Sequence, residues 1–212
     1  MDGFQGHQVW KEIQEGKERM KDKEFQNFGA TTACVVRGVE ACADYNFIPL
    51  EEYENETRKR LLLGDSWFGS VKICEQVEKS ANHCIMNVKT AHYRLSKNFL
   101  EDTMKDFPGG TWIVMRAKTA NTQANLICIG YTYNKKKVIC FLMSCGAGST
   151  EPGEPYEARF PDKYGNICVC YVACPNCISN YFKYSNKANI HNQLRHFDLA
   201  LEKKWVTHLS IR

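Results

Sequence analysis

The feature that most constrains this 212-residue chain is the segment Leu61-Leu62-Leu63-Gly64-Asp65-Ser66 and the pattern that follows it. An apolar run stops at Gly-Asp-Ser, and Trp67, Val71, Cys74 and Val77 then recur at intervals of four, three and three. The run reads as a buried strand, and the spacing predicts a helix from about Ser66 to Lys79 with one apolar face. A strand feeding a helix through such a turn is the connection of an α/β sheet. Sheets of that kind carry their chemistry at the carboxyl ends of the strands, where Asp65 stands. The residues alone leave two roles open: Asp65 is a functional carboxylate, or Asp65 and Ser66 merely cap the helix.

Composition narrows the class. With 43% hydrophobic and 25% charged residues, the chain suits a globular fold and excludes wholesale disorder or a collagen-like structure. The longest apolar runs, such as Ile139-Cys140-Phe141-Leu142-Met143, fall far short of the roughly 20 residues that span a bilayer. The first residues show neither a basic nor an apolar targeting region, so no signal peptide is expected. A net charge of +4 permits a nucleic-acid partner without arguing for one.

Cys84 to Val88 reads as a second strand. From Thr111 onward the pattern turns to short β-rich runs, namely Thr111–Met115, Leu126–Tyr133, Val138–Ser144, Ala158–Phe160 and Ile167–Ala173. Turn residues punctuate them, including Pro108-Gly109-Gly110, Asn134-Lys135-Lys136 and Asp162 to Asn166. Upstream, Lys11 to Phe28 suggests a strand end and a solvated helix, Ala33 to Val39 a short strand or buried turn, and Pro49 to Arg60 a polar helix or loop. Near the end, Ile190, Leu194, Phe197, Leu201 and Trp205 form an amphipathic helical stripe. The expected organisation is an α/β core over residues 1–100, a β-rich insertion over 101–173 outside the main sheet, and helices over 174–212 completing the core.

Eleven cysteines without a secretory signal suggest free thiols in a reducing compartment. Cys34, Cys42, Cys74, Cys84, Cys128, Cys140 and Cys145 lie among apolar neighbours and read as small hydrophobes. Cys168, Cys170, Cys174 and Cys177 crowd together, and Cys174-Pro-Asn-Cys177 has the spacing of a zinc knuckle. The one-residue gap between Cys168 and Cys170 is poor chelating geometry, so the alternative to structural zinc is a cysteine-rich strand entering a turn.

Several blocks occur in a telling order: Glu12-Ile13-Gln14-Glu15-Gly16-Lys17-Glu18, Gly64-Asp65-Ser66-Trp67-Phe68-Gly69-Ser70-Val71, Val88-Lys89-Thr90-Ala91-His92, His191-Asn192-Gln193-Leu194-Arg195 and Leu199 to Thr207. The series resembles the transposase domain of piggyBac-type elements, including the transposase-derived proteins those elements leave in genomes. The resemblance implies an RNase-H-like (DDE transposase) α/β core interrupted by an insertion. It also implies cut-and-paste DNA transposition by three aspartates that hold two Mg²⁺ ions. Such ions activate the attacking oxygen and stabilise the leaving one in an in-line displacement, and they require hard anionic ligands.

Carried over by position, the family's second aspartate falls on Asp65 and its first on Asp2, in Asp2-Gly3-Phe4-Gln5-Gly6. The third position holds Asn189, a neutral amide where the family has a carboxylate. The resemblance therefore implies a degenerate catalytic set of Asp2, Asp65 and Asn189, with Mg²⁺ held weakly by Asp2 and Asp65. The strand around Asp2 is expected to be truncated, and the family's N-terminal DNA-binding and C-terminal zinc-binding regions are not seen. The expected protein is a transposase remnant, catalytically impaired, with residual DNA contact and a nuclear location that follows from its substrate. Two alternatives remain: an active metal-dependent strand-transfer enzyme, or a non-catalytic zinc-binding module. Lys72, Lys89, His92, Arg94, Lys97 and Arg195 are taken as the basic residues closest in sequence to the proposed site blocks, and so as the candidates for phosphate contacts.

Overall fold

In the computed structural model the described residues are 28–43, 60–80, 82–89, 95, 97–116, 125–134 and 137–194. Two apolar runs that lack polar alternation become interior strands, β2 (His83–Val88) and β5 (Lys137–Met143). Runs of this kind suit strands covered on both faces. The five-stranded sheet has the order β1-β2-β5-β4-β3, with β1 spanning Leu61–Gly64, β3 Trp112–Arg116 and β4 Ile127–Asn134. β1 and β2 are parallel, joined by the helix α2 (Val71–Lys79), and the other pairings are antiparallel.

Alternate side chains fill two cores. On one face Cys84, Met86, Val88, Cys140 and Leu142 meet Ile73, Cys74 and Val77 of α2, Val35 of α1 (Ala30–Ala43), and Leu100 and Met104 of α3 (Lys97–Met104). On the other face Ile85, Ile129, Tyr131, Phe141 and Met143 meet Cys174, Cys177, Ile178 and Tyr181, the last three on α4 (Asn176–Leu194). The sheet is thus sandwiched between helices, a mixed α/β architecture. No helix among the described residues is long and apolar enough to cross a membrane.

The expected strands occur where their patterns put them, but three expectations are corrected. First, the sheet does not stop near residue 100. β3, β4 and β5 extend it, and only the hairpin of β6 (Tyr156–Pro161) and β7 (Ile167–Val172) forms a separate two-stranded sheet. Register explains this: Ile85, Asn87 and Val88 pair with Met143, Phe141 and Cys140, so β5 brings apolar side chains to both cores at once. Second, Ala33 to Val39 is helical, because Ala33 and Val35 are buried within α1, which packs beside α2. Third, α2 begins at Val71 rather than at Ser66. Ser70 is its N-cap, its side chain accepting from the Ile73 N–H at 3.3 Å.

The stretches Lys11 to Asn27 and Pro49 to Lys59 lie outside the described residues, as do Phe197, Leu201 and Trp205 of the expected stripe.

Candidate functional site

The turn between β1 and α2 forms because Asp65 closes it on itself. Its Oδ1 accepts the Trp67 N–H at 2.9 Å, and its carbonyl accepts the Phe68 N–H at 3.1 Å. These bonds hold residues 65–68 out of helix and leave the Asp65 carboxylate exposed at the carboxyl end of β1. Trp67, expected on the buried face of α2, is instead 73% exposed. The turn is pressed against the neighbouring strand: a Cβ built on Gly69 would stand 1.8 Å from the Asn87 carbonyl oxygen.

Parallel register carries this one step further. Gly64 lies opposite Met86, so Asp65 follows beside Asn87 as β1 leaves the sheet, while β2 continues to Val88. α4 crosses the same face and brings Tyr181 to this end. Burial pushes the Tyr181 hydroxyl above its ordinary pKa, the Asp65 charge pushes it further the same way, and a hydrogen bond with the Asn87 side chain pulls it back. Asp65, Asn87 and Tyr181 therefore share one electrostatic neighbourhood. Asn87 and Tyr181 were not among the residues singled out from the sequence. Asn87 depends on the register in which β1 and β2 pair, and Tyr181 on how α4 docks, neither of which the sequence pattern shows.

The other predicted site residues fall in several places. Asp2, His92, Arg94 and Arg195 lie outside the described residues. Asn189 lies within α4, eight residues past Tyr181 and so about 12 Å further along the axis at an α-helical rise. Lys89 is exposed directly after β2. Lys72 is exposed in the first turn of α2, with its Nζ 5.3 Å from the centroid of the Phe28 ring. Lys97 does not suit the role expected of it: it is only 9% exposed and forms an ion pair with Glu101, one turn on in α3. Its charge is already matched by the partly exposed Glu101 carboxylate.

The four clustered cysteines divide. Cys168 and Cys170 sit half-buried on β7, while Cys174, just before α4, and Cys177, in its first turn, are buried in the core. The Cys174 thiol donates to the Glu154 carbonyl at 3.0 Å, and burial pushes the Cys177 thiol up to about 12. These are the surroundings of small hydrophobes rather than of metal-bound thiolates.

Among the described residues no group of three or more His, Cys, Asp or Glu is placed to hold a metal ion. That holds for zinc at the cysteines and for Mg²⁺ at Asp65, whose described neighbours Asn87 and Tyr181 are neutral. The described residues alone therefore do not fit a two-metal centre, and no chemical step is derived through one.

No protein-family model matches the chain, and no curated protein does. Among solved structures, the chain is similar to a piggyBac transposase in the cryo-EM structure of its synaptic complex with hairpin DNA, with a TM-score of 0.43 and 16% identity. The similarity covers 72% of this chain and 28% of that one, so the chain spans well under half the length of the transposase.

Proposed function

We propose that this chain is a piggyBac-type transposase-related domain, with an RNase-H-like core, that contacts DNA without cleaving it. The observation that supports the reading best is the position of Asp65. It leaves the carboxyl end of a parallel strand, in the turn that opens a helix, with its carboxylate exposed. The ordered sequence blocks assign a metal-binding aspartate of the family to that same residue.

In this reading Asp2 and Asp65 are the carboxylates that would hold Mg²⁺, and Asn189 stands where a third is needed. An amide oxygen lacks the negative charge on which hard cations depend. A centre short of one carboxylate binds its metal weakly and does not support strand cleavage. Lys89, exposed beyond β2 and one strand from Asp65, is the described residue best placed for a phosphate. A nuclear location follows from a DNA partner.

The test uses a labelled duplex with Mg²⁺ or Mn²⁺. The protein is expected to leave both strands intact and to bind the duplex with an affinity that falls steeply with salt, because each neutralised phosphate releases counterions. Lys89→Gln should flatten the dependence of log affinity on log salt by about one unit of slope. Metal-dependent nicking by the unaltered chain, or binding indifferent to salt, would contradict the reading.

A further inference from the structure

The β6–β7 hairpin stands apart from the main sheet. Its base is tied down by aromatic side chains: the Tyr133 hydroxyl bonds that of Tyr156 at 2.9 Å, and the Tyr156 ring lies 5.5 Å from that of Phe182. Its tip is closed by Asp162, whose Oδ1 accepts the N–H groups of Tyr164 at 2.8 Å and Asn166 at 2.9 Å, with Gly165 at a φ of +85°. Between base and tip the two strands have different edges. β6 carries Glu157, Arg159 and Pro161, the charges and proline that guard an edge against a new partner. β7 reads Ile-Cys-Val-Cys-Tyr-Val, with no charge, proline or glycine.

No third strand covers β7 among the described residues. Its alternate residues Ile167, Val169 and Tyr171 are 65%, 50% and 71% exposed. An uncharged six-residue edge of high β-propensity is a template for strand addition. The sequence of β7 also indicates which strand. Two copies of one strand paired about a two-fold axis must match odd positions with odd, since facing residues share a side of the sheet. Centred on Val169, that rule sets Val169 against its own copy, Ile167 against Tyr171, and Cys168 against Cys170. The five residues are self-complementary: an apolar stripe covers one face and four cysteines line the other.

We propose that β7 is a homodimerisation edge, which pairs antiparallel with β7 of a second copy about Val169 to give a four-stranded ribbon. The interface is small beside the roughly 1,600 Å² of a stable complex. Association is therefore weak and depends on concentration.

Light scattering of the full chain over a concentration series tests this. The mass should rise from that of the monomer toward twice that value, and Val169→Glu should abolish the rise. In the hairpin that glutamate faces Arg159, its cross-strand partner, so the fold is preserved while two like charges meet at the two-fold axis. Ile167→Lys serves if the first variant misfolds. Register is read by disulfide trapping with an azo oxidant, which takes two protons and two electrons from two thiols and becomes a hydrazine. Cys168→Ser and Cys170→Ser should each fail to cross-link through β7 alone, and an equimolar mixture should form a covalent dimer joining Cys170 of one to Cys168 of the other. A monomer at every concentration, a dimer unaffected by Val169→Glu, or cross-linking by either single variant alone through β7 would overturn the proposal.

Discussion

Replacing Gly69 by alanine is expected to lower stability by about 3 kcal/mol, the upper end of what overpacking a filled site costs. The obstacle is backbone: the new Cβ would meet the Asn87 carbonyl oxygen at 1.8 Å and its carbon at 2.7 Å. No side-chain rotation relieves that contact, so the turn must lift away from β2 or the strand must bend. For a chain of this length the melting temperature should fall by roughly 6–12 °C. Gly146→Ala is the control, since nothing lies within 4 Å of its Cβ. Because the same turn carries Asp65, the loss of stability should be accompanied by weaker metal and DNA binding. An unchanged melting temperature would mean that the turn does not rest on β2 as described.

Phe141→Ala should be comparably severe, at about 3–5 kcal/mol by the usual cost of deleting a buried aromatic side chain. Phe141 is fully buried at an interior strand, meets Tyr181 edge-on with ring centroids 4.9 Å apart, and lies 6.4 Å from Phe182. Deleting it opens a cavity where α4 docks, against a total stability of order 5–15 kcal/mol. Urea unfolding measures the loss. Phe107→Ala, at a 36% exposed position, should cost far less. A change below about 1 kcal/mol for Phe141→Ala would show that α4 is not anchored on this face.

The individual strands were legible because each apolar run is bounded by glycine, proline or asparagine turns. Their assembly was not. The apolar run says that Val138 to Ser144 is extended, but not that it pairs with β2, since an edge in sequence can be a centre in space. α1 was misread for a related reason. Its Thr31, Thr32, Val35 and Val36 favour strands locally, and burial of Val35 within the helical layer overrides that preference. The start of α2 reads as Ser66 because Asp65 and Ser66 can both cap a helix, whereas the cap is Ser70, four residues on. The turn closed by Asp65 keeps the intervening residues out of helix and leaves Ser70 as the cap. The position of Asp65 at the carboxyl end of β1 was legible from its strand–turn–helix setting. Tyr181 was not, because nothing in a helical stripe indicates which strand end it will cover.

The most direct test of the account is a Mn²⁺ titration of three proteins: the unaltered chain, Asp65→Asn and Asn189→Asp. If Asp65 belongs to a metal centre left short of one carboxylate at Asn189, the unaltered chain binds weakly and Asp65→Asn binds more weakly still. Asn189→Asp then binds at least tenfold more tightly, about 1.4 kcal/mol. Equal affinity across the three would contradict the account, because Asp65 and residue 189 would then share no metal.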